Sequence, residues 1–429
     1  MDLDSPSLLP LDRLSLPSYP PLPQTRSLVC LPCPDPSRTP LDPPGRPLLD
    51  TGGDRGSAWT ADLRPPSSLH RYRRRWWLSN RAGHILRQAG ARCSITGCGH
   101  GIQGQQTVFR LEPGTPGDDV PRIAVDGVRW CGSARCPRCG PLVASKVSER
   151  IAALLAAARD RGVGVAFLTL TLAHDPMSRM IDLRDVTRDA FKSLQHGRPW
   201  KALKAAGLLG LVRVWEVTGG PGGWHLHAHV LAFHSGGTDA AVAAGRELTG
   251  TWTRLVRARG YRAVAEAQDC RPVLDGEPLG DYGAKSLRGW DVAAELASAW
   301  VKGGRRPYRM SLPQILALAA EGDSWARSAY VEAVVALKGQ KVLIVSPPLK
   351  AALGVIFENV SDEDAVEPEA QLGEVLGEMP AATWSRACTL SLSAWVLGEI
   401  DRLVVRQGVA WPDLLWHVRA RVWRDPPDG

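Results

Sequence analysis

Three histidines in strict alternation are the residues best spaced to do chemistry: Trp224-His225-Leu226-His227-Ala228-His229-Val230-Leu231. The run reads as a β-strand, on which side chains i and i+2 share a face. His225, His227 and His229 then point one way and Leu226, Ala228 and Val230 the other. Two imidazoles spaced like this can grip one divalent cation from one side, leaving its other positions open to water or a substrate oxygen. Upstream, Leu208 to Thr218 reads as a partner strand, and Gly219-Gly-Pro-Gly-Gly223 as the turn of a β-hairpin. Hairpin pairing brings Glu216 beside the histidines. Glu216 is then either a third metal ligand, or else a surface glutamate or a carboxylate paired with Arg213.

The cysteines form a second constellation. The chain has nine, and five fall between Cys93 and Cys139: Cys93-x4-Cys98, then Cys131-x4-Cys136-x2-Cys139. Thiolates are soft ligands, and four in a tetrahedron suit Zn²⁺. Cys136-Pro-Arg-Cys139-Gly140 is a knuckle, a tight turn that faces two sulfurs toward one ion. Cys98, Cys131, Cys136 and Cys139 are the favoured set, because Cys98-Gly99 repeats the glycine that follows Cys139; Cys93 is the spare. A closed site of this kind is structural. The bland alternative is a group of reduced, buried thiols. Cys30 and Cys33 form a further pair with no partner pair nearby.

Tyr282 and Lys285 stand three apart and would share one face of a helix. A phenol becomes a nucleophile when a cation favours its ionised form, which Lys285 could supply. His70-Arg71-Tyr72-Arg73-Arg74-Arg75-Trp76-Trp77 combines four arginines with three aromatic rings, suited to phosphate contacts and base stacking, or else a solvated charge run.

These residues need elements to hold them. Helical periodicity is clear over Lys146–Arg161, with Gly162 as a stop, and Val163–Leu172 reads as a buried strand. Helices are expected at Leu183–Gly197, Ala240–Gly260, about 280–300, 311–320 and 323–337, and short strands at Tyr261–Cys270 and Lys341–Ser346. Ser361–Glu378 holds seven acidic residues and reads as a linker, followed by helices at about 389–406 and 412–422. Fifteen of the 34 prolines precede residue 70, so that segment reads as a disordered arm. The expected organisation is an arm (1–69), a basic and cysteine-rich zinc-binding segment (70–145), an α+β domain built on an antiparallel sheet (146–350), an acidic linker (351–380) and a helical tail (381–429). With 52 Lys and Arg against 44 acidic residues the formal charge is +8, which favours an anionic partner. No apolar run is long enough for a transmembrane helix and no signal peptide is visible, so a cytoplasmic protein with no membrane partner is expected.

Four features in order resemble a known family: the upstream cysteine cluster ending in Cys136-Pro-Arg-Cys139, Phe167-Leu-Thr-Leu-Thr171, His227-Ala-His229 followed by Val-Leu, and Tyr282-Gly-Ala-Lys285. Together they resemble the rolling-circle replication initiators of the HUH endonuclease superfamily, most like those of actinobacterial plasmids. The likeness covers about residues 93–350. It implies an HUH-type antiparallel sheet flanked by helices, and nicking of one DNA strand at a plasmid origin. The nick is a transesterification that leaves a 5′-phosphotyrosine and a free 3′-hydroxyl primer. By position, Tyr282 is the nucleophile and Lys285 assists. His227 and His229 are the preferred ligands of Mg²⁺ or Mn²⁺, with Glu216 third and His225 as the alternative to His229. The implied partners are single-stranded or extruded origin DNA, with a host helicase and polymerase, since no Gly-x-x-x-x-Gly-Lys-Ser/Thr loop is present. Arg71, Arg73, Arg74, Arg75 and Trp76, with Arg305, Arg306 and Arg309, are candidates to hold the strand. The chain departs from the family pattern at Leu226, where proline is frequent, and at Pro278, where many relatives keep a second acid or tyrosine. Competing readings are an HUH transposase or relaxase, a non-enzymatic zinc-stapled DNA-binding protein, and a plain metal clip.

Overall fold

The chain divides into Met1–Pro65 and Pro66–Gly429. A computed structural model describes residues 68–113, 121–220, 222–274, 309–356 and 373–424, with side chains from Tyr72 onward. The expected arm, Cys30, Cys33, the side chain of Arg71, the helix at 280–300, Tyr282, Lys285, Arg305 and Arg306 lie outside the described residues.

The protein is α+β with antiparallel sheets. The larger sheet contains β3 (Gly164–Thr171), β4 (Leu208–Gly220), β5 (Gly223–His234), β6 (Asp269–Pro272), β7 (Met310–Ser311) and β8 (Leu343–Val345). Its order is β6-β3-β5-β4-β7, with β8 also pairing β4. The β4–β5 hairpin forms as its sequence predicts, with Gly220 opposite Gly223. Gly223 has φ +90°, and a Cβ there would meet the Asp175 carbonyl oxygen at 2.4 Å. Only glycine lets the loop after β3 approach the hairpin this closely.

Alternation separates the two faces of this sheet. Leu168, Val230 and Ala228 are fully buried. They lie on the face met by α5 (Gly237–Arg257), where a Cβ on Gly245 would contact Leu168 and Ala166. α3 (Met180–Leu194) packs beside α5. The histidines occupy the other face. α2 (Cys139–Asp160) buries Val143, Val147, Ile151, Leu154 and Ala158 at helical spacing. Burying each of these valine, isoleucine and leucine side chains contributes about 1.5–3 kcal/mol. α2 begins earlier than its apolar period suggests, because the Cys136 knuckle launches it: Gly140 N–H donates to the Cys136 carbonyl at 2.8 Å.

A second, three-stranded sheet has the order β2-β1-β9, from β1 (Gln106–Glu112), β2 (Arg122–Asp126) and β9 (Glu374–Pro380). Against it lie α1 (Ser68–Gln88), α9 (Ala381–Thr389), α10 (Ser393–Glu399), a π-helical turn at Ile400–Val405 and α11 (Trp411–Val422). Their shared core contains Trp76, Phe109, Val125, Met379, Trp384 and Val418. The tail and the cysteine-rich segment therefore fold together.

Several expectations are corrected here. Residues 374–380 are a strand, not linker, because β1 supplies their hydrogen-bond partners. The helix expected over 389–406 starts later, at Ser393, and runs through α10 and the π-helical turn to Val405; Ser391, with φ +58°, separates it from α9. Of the strand expected over 261–270 only Asp269 and Cys270 pair, as the start of β6; the stretch before them crosses the end of β3, where Ala173 N–H donates to the Arg262 carbonyl at 2.7 Å. α4 (Gly197–Ala205) and α8 (Pro347–Leu353) are further helices, and α6 (Leu312–Ala320) and α7 (Ser324–Ala336) fall where periodicity put them.

Candidate metal centres

The four favoured cysteines meet. Sγ atoms of Cys98 and Cys136 are 3.5 Å apart, of Cys131 and Cys139 3.6 Å, and of Cys98 and Cys139 3.7 Å. A tetrahedron with Zn–S bonds of about 2.3 Å has sulfur–sulfur edges of about 3.8 Å, whereas a disulfide is about 2.05 Å. The four sulfurs are buried and converge with the spacing of a tetrathiolate, so this group can bind a metal such as zinc. Cys93 stands outside it. Hydrogen bonds from the other three thiols pull Cys98 well below the usual thiol range, while burial pushes Cys136 up.

The surroundings of this cluster were not legible in the spacing. Arg138, between the knuckle cysteines, is 6% exposed and stacks over Trp76 at 3.6 Å and Trp130 at 4.1 Å. Its Nη1 lies 3.9 Å from Cys98 Sγ. Four thiolates on a divalent ion leave excess negative charge, which this guanidinium offsets. Trp76 is thereby accounted for: it is 2% exposed and meets Trp384 edge to face, so its ring packs in the core and offers no surface to a base. Arg73 is likewise engaged, 2.9 Å from Asp401. Arg74 and Arg75 are exposed.

On the histidine face, register sets Glu216 opposite His227, Val214 opposite His229 and Thr218 opposite His225. Glu216 Oε2 lies 2.7 Å from His227 Nε2 and 2.6 Å from His229 Nε2. Arg213, one residue out of phase on the strand, points to the opposite face and stacks on Trp215 and Phe191. The question the sequence left open resolves as geometry: Glu216 joins the histidines. Burial opposes ionisation of Glu216, but hydrogen bonds from His227 and His229 outweigh it and hold the carboxyl well below the usual range. Neighbouring ligands on an ion with bonds of about 2.0–2.1 Å sit roughly 3 Å apart, close to these separations. Thr169 Oγ1 is 3.4 Å from His229 Nδ1, the outer position from which a ligand imidazole is oriented. His227 Nδ1 is buried with no hydrogen-bond partner among the described residues. Two imidazoles and a carboxylate form a mixed donor set that fits a divalent cation.

His225 shares this face but stands outside the converging atoms. Its Nδ1 is 3.2 Å from Nε2 of His174, which sequence reasoning did not single out. Burial, with positive neighbours, pushes His225 down to about 3. His174 comes from the loop that Gly223 admits, so a lone histidine outside any periodic run gave no signal. Tyr330 is fully buried and donates to the Arg135 carbonyl at 3.1 Å, so its phenol is not presented to a substrate. No described helix is long and apolar enough to cross a membrane. No family model, curated protein or solved structure matches the chain.

Proposed function

We propose that this protein is an HUH-type endonuclease that nicks single-stranded DNA through a tyrosine, with a plasmid rolling-circle replication initiator as its biological role. The observation that carries the reading is the convergence of Glu216, His227 and His229 on one sheet face, 2.6–2.7 Å from carboxylate oxygen to each Nε2. A structural metal needs closed coordination, as the four cysteines offer; a three-ligand group leaves positions open for a substrate. Mg²⁺ or Mn²⁺ held by this group would withdraw charge from the scissile phosphate.

The chain's own residues do the rest. The Tyr282 phenol gives its proton to solvent and its oxygen attacks phosphorus in line; the new O–P bond forms as the P–O3′ bond breaks, and the departing 3′-oxygen takes a proton from solvent. Lys285 favours the phenolate and neutralises the phosphate. Bond energy is kept in the phosphotyrosine, so the step needs no ATP. The four-cysteine group, with zinc, holds the region before α2. The basic surface at Arg74 and Arg75 draws in the strand.

The test is covalent capture. Protein and Mn²⁺ are mixed with labelled single strands tiled across DNA flanking the gene, and denaturation-resistant adducts are scored. The parent forms an adduct at one site, and Tyr282→Phe and His227→Ala do not. Absence of any adduct while the parent still binds DNA would replace this reading with a non-enzymatic zinc-stapled DNA-binding protein.

A further inference from the structure

The last helix presents a face that its packing does not use. Leu414, Val418 and Val422, at spacing four, are buried and seat α11 against β9, α9 and the π-helical turn. On its outer side Trp416 is 74% and Trp423 52% exposed. Arg419 is exposed between them. Positions 416, 419 and 423 are three and four apart and so share one face. A pair of large rings left in water on one helix face marks an interaction site.

The surroundings identify the partner's chemistry. The Arg386 guanidinium stacks over Trp423 at 4.9 Å, and Arg421 over Trp395 at 5.3 Å. Residues 381–424 hold six arginines against three acidic residues, and five of the chain's sixteen tryptophans. Two of those acids are already engaged, Glu399 by Arg402 and Asp401 by Arg73 and Arg406. What faces solvent is therefore cationic and aromatic together. A flexible polyanion with planar bases matches both properties, because phosphates meet the guanidinium groups while bases stack on indoles.

We propose that the Trp416–Arg419–Trp423 face is a stacking platform for single-stranded nucleic acid. A lipid surface is disfavoured because an interfacial helix needs a free apolar face, and here that face lies in the core. A twofold contact between copies would set arginines against arginines. The platform belongs to elements other than those carrying Glu216, His227 and His229, and does not depend on the nicking reading.

The test is binding of a short labelled oligothymidylate to the full chain without added Mg²⁺ or Mn²⁺, followed by fluorescence anisotropy. Trp416→Ala and Trp423→Ala each weaken binding by about tenfold, and the double variant by about a hundredfold. Trp416→Phe, which keeps a ring, retains most of the affinity. Arg419→Gln flattens the salt dependence by about 0.7 in log–log slope. Zinc content and far-UV circular dichroism remain those of the parent. Glu216→Ala still binds the oligonucleotide through the platform, even if it abolishes nicking. Unchanged affinity in the double variant overturns the proposal. So does a change in oligomeric state or in binding to anionic vesicles with oligonucleotide affinity intact.

Discussion

Glu216 and His227 face each other across the β4–β5 hairpin, and one carboxylate oxygen lies within 2.7 Å of Nε2 on both His227 and His229. Without a cation, both imidazoles must carry their hydrogens on Nε2 and donate to the same carboxylate oxygen. A divalent ion satisfies all three donors at once.

Glu216→Ala removes the only anionic donor of that group. Mn²⁺ affinity, measured by calorimetry, should fall by more than the roughly 10–100-fold typical of losing an outer-shell partner. Zinc bound at Cys98, Cys131, Cys136 and Cys139 should remain. Mn²⁺ binding at parental affinity would mean that these residues are not the ion's site.

The thiolate centre is tied to the C-terminal helices through Gly99. Its carbonyl accepts from Trp384 Nε1 at 2.8 Å and from Cys388 Sγ at 3.5 Å. Cys139→Ser should therefore do more than lose zinc. Amide exchange across Ala381–Thr389 should accelerate by at least about tenfold, because local opening no longer has to break the metal-held loop. His227→Ala should leave exchange in that helix unchanged. Equal protection in both variants would separate the metal from the tail.

The parts of this architecture visible in the sequence are those whose partners are close along the chain. The histidine strand and Glu216 sit on one hairpin, so period-two alternation and a glycine turn sufficed to place them. Cys136 and Cys139 are a knuckle, and Cys98 was found by the glycine after it. Pairings at long range left no such mark. Residues 374–380 are acidic and look like linker, and only β1, more than 260 positions away, makes them a strand. Arg73 and Trp76 announce charge and aromaticity, yet their partners Asp401 and Trp384 lie in the tail. The Ser391 break needed a backbone angle, not a composition, to be seen.

Arg213 is a buried charge with no carboxylate partner among the described residues. It is 5% exposed, its Nε finds no hydrogen-bond partner among the described residues, and it rests on the rings of Trp215 and Phe191. Burial pushes its pKa well below the usual arginine range, to about 9. Ring contacts recover part of the desolvation cost, roughly 0.5–2 kcal/mol. Arg213→Met should stabilise the fold by about 1 kcal/mol or more near neutral pH. The sign with pH follows from proton counts. Above about pH 9 the unfolded chain keeps the proton and the folded one sheds it, so the parent gains stability as pH rises. The advantage of Arg213→Met, read from urea midpoints, should therefore shrink above about pH 9. A variant less stable than the parent at neutral pH would show that this guanidinium is held by more than rings.

Gly377 tests whether the acidic stretch after residue 373 is structural. It lies opposite Phe109 in the three-stranded sheet, and the Trp411 indole covers it. A Cβ there would fall 2.0 Å from the ring. Trp411 also donates its Nε1 hydrogen to the Glu378 carbonyl at 2.7 Å, so the indole is pinned over the strand by a hydrogen bond as well as by packing. Gly377→Ala must push the ring core, not a flexible tip, and should destabilise by about 1–3 kcal/mol. Urea denaturation followed by tryptophan emission reads the change. In Trp411→Ala the same glycine substitution should have little effect, since the obstructing ring is gone; the difference between the two backgrounds is the coupling of β9 to α11. An effect within about 0.5 kcal/mol in the parent, the range of an ordinary surface change, would mean that α11 does not rest on this strand.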